Sequence, residues 1–216
     1  MLSFYFIRHA ESEANIDPSI ICGRSDQMPL SAQGRIQKEL LAERLKREGY
    51  QFDQYYSSVS IRALETGQAV ARALSIDLGD IQTSDQLVEL SKGDWEGKVR
   101  AEMYHGNVQG EFEKDFYNFT PPNGESQLDA ELRMYHWLEA TRKKFIGQTA
   151  HIAVFSHGFA IKSMAVRLLQ ADPSTVFRTV IHNTSISVFQ WDETEWRLER
   201  LNDHAHLAGT PIAGHY

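Results

Sequence analysis

The sequence predicts an α/β fold, a three-layer α/β/α sandwich with a mostly parallel central sheet. Two apolar runs, residues 4–7 and 152–155, have the length of buried strands, and each is followed by polar residues and then by a helical pattern. A third strand-like run, residues 52–57, leads into a helix in the same way. Strands that alternate with helices in this manner are typical of parallel sheets covered on both faces.

The predicted elements follow one another with recognisable boundaries. The first helix spans residues 31–48, with Ser31 as its N-cap and Gly49 as its stop. Its apolar positions are Ile36, Leu40, Leu41 and Leu45. Further helices are predicted at residues 60–74, 126–145 and 159–169, and two late strands at residues 186–191 and 196–201.

Residues 98–124 fit neither a helical nor a strand period. The segment holds several aromatic residues and ends in Pro-Pro-Asn-Gly. Long irregular segments on a regular scaffold commonly carry function. We therefore expect an insertion that covers the site and selects the substrate.

The composition is ordinary for a globular protein and excludes several classes of partner. The 216 residues show no repeat or linker, so residues 1–216 are expected to form a single domain. The net charge of −7 argues against nucleic acid and anionic membranes as partners, and no apolar stretch is long enough to span a membrane. The single cysteine, Cys22, excludes internal disulfides and suits a reducing compartment, so we expect a cytoplasmic protein.

Histidine and arginine side chains lie where the predicted strands end. Arg8 and His9 follow the first strand, His157 follows a later one, and Arg62 lies at the start of the helix after the third strand-like run. The carboxyl ends of parallel strands line one crevice, so these residues are expected to share a cleft. The planar guanidinium group of an arginine can donate two hydrogen bonds to phosphoryl oxygens at once, and a neutral imidazole can attack phosphorus. The pattern predicts a phosphate site with a nucleophile in it.

Several segments, in order, carry a resemblance to a known family. They are Arg8-His9-Ala10-Glu11-Ser12 with Asn15, Pro29-Leu30-Ser31 with Gly34, residues 57–63 with Thr66, Glu89 ahead of Gly-Asp-Trp-Glu-Gly at 93–97, Gly124-Glu125-Ser126, and Ser156-His157-Gly158. From about Phe4 to Val188 the chain resembles the histidine phosphatase superfamily, which includes the cofactor-dependent phosphoglycerate mutases. Ala10 departs from the glycine that the family usually has, and we expect it to crowd the backbone near the phosphate without abolishing the site.

The resemblance and the chemistry assign the same roles. His9 is expected to be the nucleophile, Arg8 and Arg62 the phosphate clamp, and Glu89 the proton donor to the leaving group. His157 is expected to bind phosphoryl oxygens together with the helix N-terminus at Gly158. Asn15 and Arg24 are expected to contact the phosphate or the rest of the substrate. Other acids remain alternatives to Glu89, and the remaining histidines are assigned no role. The acids are Asp94, Glu96 and Glu102, and the histidines are His105, His136, His151, His182, His204, His206 and His215.

These roles predict a phosphomonoester hydrolase that acts on a small phosphorylated metabolite through a phosphohistidine, without metal or cofactor. The short segment between Gly97 and Gly124 and the Gly-Asp-Trp-Glu-Gly motif, which resembles the phosphatase branch, favour hydrolysis. A 2,3-bisphosphoglycerate-dependent phosphoglycerate mutase is the alternative, and a non-catalytic phosphate-binding protein is a further one. A homodimer is compatible with this interpretation.

Overall fold

A six-stranded mixed sheet forms the centre of the molecule. The computed structural model describes residues 1–210, and His215 lies outside the described residues. The strand order is β3-β2-β4-β1-β5-β6, and all neighbours are parallel except β5, which is antiparallel to both β1 and β6. The predicted mostly parallel sheet is therefore confirmed. The strands are β1 (Leu2–Arg8), β2 (Gln54–Ser58), β3 (Ile81–Ser84), β4 (Ala150–Ser156), β5 (Ile186–Trp191) and β6 (Trp196–Asp203).

Helices cover both faces of the sheet and complete the three layers. Alternate residues of β1 point to opposite faces, as the pleat requires. Phe4 and Phe6 pack in the core beneath α5 and α6, whereas Ile7 packs beneath α1 and α2. No helix within residues 1–210 is long and apolar enough to cross a membrane. The helices are α1 (Ala32–Arg47), α2 (Ile61–Ala73), α3 (Arg100–Met103), α4 (Asn107–Lys114), α5 (Gln127–Lys143) and α6 (Gly158–Leu168).

Helix α1 begins and ends as predicted. The Ser31 hydroxyl accepts a hydrogen bond from the Gly34 N–H at 2.9 Å, which caps the first turn. Gly49 follows the helix with φ +71°, a conformation that favours glycine. Gly34 also lies against the loop after β1, since a Cβ placed there would be 1.9 Å from the carbonyl oxygen of Glu11.

The buried face of α1 agrees only in part with its apolar residues, since Leu41 and Leu45 are buried as expected but Ile36 is not. Ile36 is 54% exposed, whereas Gln37 and Arg44 are buried. The side-chain oxygen of Gln37 accepts the Glu11 N–H at 2.8 Å, and Arg44 forms an ion pair with Asp203 at 2.7 Å. Gln37 and Arg44 can lie inside the protein because their polar groups have partners there. Hydrophobicity alone would instead place Ile36 inside.

The segment predicted as an irregular insertion contains two short helices, α3 and α4. Its aromatic side chains pack edge to face, with ring centroids 5.0 Å apart for Trp95 and Tyr104 and 5.5 Å apart for Phe112 and Phe119. This aromatic cluster lies beside the carboxyl edge of the sheet, where the insertion borders a cavity described below.

Candidate active site

Four of the predicted residues meet at the carboxyl edge of the sheet. Arg8 and His9 follow from β1, Arg62 lies in the first turn of α2, and His157 is the N-cap of α6 after β4. The His9 and His157 rings lie 5.1 Å apart, centroid to centroid. A cavity of about 310 Å³ opens here, and its lining includes Arg8, His9, Asn15, Arg62 and Glu89.

The hydrogen bonds of His9 fix its tautomer. Its Nδ1 lies 2.7 Å from the Ala10 carbonyl oxygen, which only accepts, so Nδ1 carries the proton. Its Nε2 lies 3.3 Å from Nε of Arg62, which only donates, so Nε2 carries the lone pair. Burial, together with the charges of Arg62 and Arg8, lowers the pKa of His9 well below 6.5. At neutral pH His9 therefore presents a neutral imidazole nitrogen to the cleft.

Arg8 and Arg62 are buried cations held by carbonyl groups. Arg8 donates from Nη1 to the Ile181 carbonyl at 2.6 Å, and Arg62 donates to the carbonyls of Ser25 at 2.8 Å and Arg24 at 2.6 Å. Burial lowers the pKa of Arg8 to about 10 and also lowers that of Arg62, so both remain charged at neutral pH. Within residues 1–210 neither forms an ion pair with a carboxylate. Two buried positive charges at one cavity favour an anionic ligand.

His157 is positioned by Arg62 and Ser58. Its Nδ1 accepts from Nη2 of Arg62 at 3.1 Å, and its Nε2 donates to the Ser58 hydroxyl at 2.9 Å. Burial and the charge of Arg62 lower the pKa of His157 well below 6.5. Nδ1 must therefore gain a proton before it can donate to a phosphoryl oxygen, and that role stays a prediction.

Glu89 is anchored at the start of α6. Its carboxylate oxygens accept the backbone N–H groups of Leu90 at 2.9 Å, Phe159 at 3.0 Å and Ala160 at 3.0 Å. The positive end of the helix dipole favours a carboxylate at this place. Glu89 thus lines the cavity beside His9 in a fixed position.

The alternative acids lie in other environments. Glu96 also accepts three backbone N–H bonds, and these tie two loops together. Asp94 and Glu102 are exposed. Of the four candidates, Glu89 has the position that a proton donor beside His9 requires. The donors to Glu96 are Arg24, Ser25 and Lys92.

Asn15 and Arg24 are placed differently from each other. Asn15 lines the cavity, and its Oδ1 accepts from the backbone N–H and hydroxyl of Ser12, both at 3.0 Å. The Arg24 guanidinium instead turns to Glu125, at 2.8 Å. The substrate contact expected of each residue stays a prediction.

Two small residues allow close approach around the phosphate clamp. Ala10 is fully buried, and its N–H donates to the Thr66 hydroxyl at 3.0 Å. A Cβ placed on Gly158 would lie 3.3 Å from Nε of Arg8. A glycine at the start of α6 therefore lets Arg8 lie against the helix N-terminus.

Three residues near the site were not singled out from the sequence. The Ser58 hydroxyl bonds Nε2 of His157, Asn183 donates from its amide to the His9 carbonyl at 3.0 Å, and Arg100 lines the cavity from the insertion. Ser58 lies within a segment that carries the family resemblance, which is the one signal that could have found it. Within residues 1–210 no group of three or more His, Cys, Asp or Glu side chains is arranged to hold a metal ion.

Comparison with known proteins agrees with this geometry. The model of the histidine phosphatase superfamily (branch 1) matches residues 4–204. Phosphoserine phosphatase 1 of Hydrogenobacter thermophilus is 28% identical over 230 aligned positions, which cover 100% of this chain and 99% of that protein. A phosphoglycerate mutase of Schizosaccharomyces pombe is 30% identical over 163 positions, which cover 74% of this chain and 76% of that protein. A phosphoserine phosphatase mutant of Entamoeba histolytica, solved with phosphoserine, has a TM-score of 0.80 at 26% identity and covers 96% of this chain and 100% of that chain.

Proposed function

Since the chain belongs to the histidine phosphatase superfamily and is an enzyme of its phosphatase type, we propose that it hydrolyses a small phosphomonoester through a phosphohistidine at His9. One observation carries this proposal. His9 lines a cavity and carries its lone pair on Nε2, where it accepts from Arg62, and it lies beside two buried arginines that form no ion pair with a carboxylate within residues 1–210. A phosphate dianion would supply the missing negative charge.

The first step transfers the phosphoryl group to the protein. Arg8 and Arg62 bind the equatorial oxygens, on which charge is spread in a loose transition state. His9 Nε2 forms a bond to phosphorus while the bond from phosphorus to the ester oxygen breaks. Glu89 donates a proton to the departing alkoxide. The products are the free alcohol, the phosphohistidine and the Glu89 carboxylate.

The second step reverses the roles. Water attacks phosphorus, the Glu89 carboxylate accepts its proton, and the bond from phosphorus to nitrogen breaks. His9 returns to its neutral form, and inorganic phosphate leaves. The bound dianion offsets the charge of Arg62, which raises the pKa of His157 and allows its Nδ1 to donate to a phosphoryl oxygen.

The proposed intermediate is tested by isolating it. We expect rapid mixing with substrate, quenching without acid and peptide mass spectrometry to find the added phosphoryl mass on the peptide that contains His9. The adduct should be labile in acid and stable in base. His9→Ala should abolish it, and His151→Ala, at a partly buried histidine that bonds Tyr5, should not. Full activity in His9→Ala, or a stable adduct elsewhere, would reject the mechanism.

A mutase is the second candidate because several relatives bear that name. A mutase returns the phosphoryl group to a second hydroxyl, whereas a hydrolase gives it to water. We expect phosphate release from several monoesters, without stimulation by 2,3-bisphosphoglycerate and without loss in EDTA. Interconversion of 2- and 3-phosphoglycerate faster than phosphate release would establish the mutase instead. Loss of activity in EDTA would reject the metal-free scheme, and phosphate binding without turnover would favour a non-catalytic protein.

A further inference from the structure

A second cavity, of about 460 Å³, opens beside the catalytic one. Six of its thirteen lining residues are aromatic, and they come from the insertion and from the segments that face it. We call these six residues the aromatic wall. They are Tyr104, Phe112, Phe116, Phe119, Phe159 and Phe177.

The two cavities adjoin each other. Gly23, Glu89 and Arg100 line both of them. A phosphoryl group bound by Arg8 and Arg62 would place its ester oxygen near Glu89, the proposed proton donor. The remainder of the alcohol then passes Glu89 and enters the second cavity.

The aromatic wall is held in place by its own ring contacts. Phe112 meets Tyr104 edge to face at 5.4 Å, and Phe116 meets Phe177 edge to face at 5.2 Å. Such contacts orient the rings before a ligand binds. Phe177 nevertheless remains 55% exposed, so apolar surface is left for a ligand to cover.

The charged groups around the second cavity differ in their partners: Glu125 is paired with arginines, whereas Lys92 and Arg100 form no ion pair within residues 1–210. Lys92 Nζ donates to the Tyr104 hydroxyl at 3.2 Å. Glu125 accepts from Arg24 at 2.8 Å and from Arg133 at 3.0 Å. A carboxylate or ammonium group placed against the aromatic rings would lose water without gaining an equivalent partner from them.

We propose that the substrate is the phosphomonoester of an apolar alcohol that carries a ring, with the ring bound against the aromatic wall. This inference rests on the proposed hydrolase and specifies the substrate class of the same site. It predicts a substrate chemically distinct from phosphoserine and from phosphoglycerate.

The inference is tested with esters that differ in the ring alone. 3-Phenylpropyl phosphate and propyl phosphate have leaving alkoxides of nearly equal basicity, because three carbons separate the ring from the oxygen. Burial of one phenyl ring should raise kcat/KM by roughly 30- to 100-fold for the phenylpropyl ester. Phosphoserine should fall below the phenylpropyl ester by a similar factor.

Variants then show where the preference arises. Phe112→Ala and Phe177→Ala should each reduce the ratio of kcat/KM for phenylpropyl phosphate to kcat/KM for propyl phosphate by about 5- to 10-fold. Phe145→Ala is the matched control, since Phe145 lies after α5 at the opposite end of the sheet. Phe177 is the safer of the two sites for folding because its side chain is half exposed.

The outcomes separate this inference from the function on which it rests. Hydrolysis of both alkyl esters at equal kcat/KM, or a preference for phosphoserine, would overturn the ring-bearing substrate and leave the hydrolase intact. A preference that survives in both variants would also overturn it, because the ring would then bind elsewhere. Failure to release phosphate from any ester would reject the hydrolase itself.

Discussion

At the scale of single residues, Glu89 and Glu96 form a natural matched pair. Each carboxylate accepts three backbone N–H bonds, and each joins two segments of the chain. Glu89 lines the cavity that contains His9, whereas Glu96 holds the loops around residues 23–25 and 92. Because their backbone contacts are alike, a difference in activity between the Glu→Gln variants at the two positions reflects the chemical role of Glu89 and not the loss of these contacts.

Glu89→Gln is expected to slow phosphorylation by an alkyl phosphate by about 10²–10⁴-fold, because the alkoxide needs a proton. Phosphorylation by p-nitrophenyl phosphate should change little, because its phenolate leaves without one. Single-turnover measurements are needed, since a slow second step would hide the contrast.

Glu96→Gln is the control for this experiment. An amide has one acceptor oxygen, so both variants should lose about 1–2 kcal/mol of stability from an unpaired N–H group. Glu96→Gln should show no contrast between the two leaving groups. Equal losses for both leaving groups in Glu89→Gln would remove its role as general acid.

The sequence predicts the residues whose position follows from the fold. Arg8, His9 and His157 end strands and Arg62 begins a helix, so a parallel sheet is enough to bring them together. The contacts of Asn183 and Ser58 depend on loop and side-chain geometry. A single polar residue belongs to no repeating sequence pattern, so the sequence does not reveal such contacts. Arg24 shows the same limit, because its backbone carbonyl holds Arg62 while its side chain turns to Glu125.

At the scale of elements, the loop that carries His9 is fixed by its fit against α1. The closest approach is at Gly34, where an added Cβ would lie 1.9 Å from the Glu11 carbonyl oxygen. Backbone atoms cannot yield as the end of a flexible side chain can. The helix and the catalytic loop are thus coupled by close contact at Gly34 as well as by the hydrogen bond from Glu11 to Gln37.

Gly34→Ala is expected to destabilise the protein by about 2–3 kcal/mol, because the loop must move away from the helix. It should also slow phosphorylation, since the loop leads directly from His9. Urea unfolding and single-turnover rates would measure the two effects. Gly110→Ala in α4 is the control, because no atom lies within 4 Å of its added Cβ and alanine should stabilise the helix by about 0.5–1 kcal/mol. Unchanged stability in Gly34→Ala would contradict the proposed coupling.

Short elements are the ones that sequence patterns miss. β3 has four residues, of which Ile81 is the one fully buried, so neither alternation nor an apolar run identifies it. Helices α3 and α4 lie in the insertion and have no fully buried residues. Neither helix therefore has a core-facing side that a repeating apolar pattern would mark in the sequence. The long helices were predictable because caps such as Ser31 and stops such as Gly49 mark their ends.

At the scale of the whole molecule, burial of neutral histidines couples stability to pH. His9 and His157 have pKa values lowered well below 6.5, chiefly by burial, and burial lowers the pKa of His206 to about 4. A group whose pKa is lower in the folded state binds fewer protons there than in the unfolded chain. Stability is therefore full above about pH 6.5 and is lost as the pH falls below it.

We expect the free energy of unfolding to fall between pH 6.5 and about 4, by up to about 1.4 kcal/mol per pH unit for each buried histidine. Carboxylates such as Asp203, whose pKa is lowered by Arg44, contribute below this window, where the unfolded chain begins to protonate them. Urea unfolding at several pH values measures the slope. His206→Gln should reduce the slope of stability against pH by the contribution of one histidine. A free energy of unfolding that does not change across this window would contradict the burial of neutral histidines.

The central position of β1 has a consequence for the synthesis of the protein on the ribosome. Leu2 pairs with Ala150 on one side and with Trp191 on the other, so both neighbours of this strand are made long after it. At about 5–20 residues per second, roughly 7–30 s pass before β4 emerges. During that interval Phe4 and Phe6 have no strand beside them, and until α5 is made only a chaperone or a transient non-native contact can cover them.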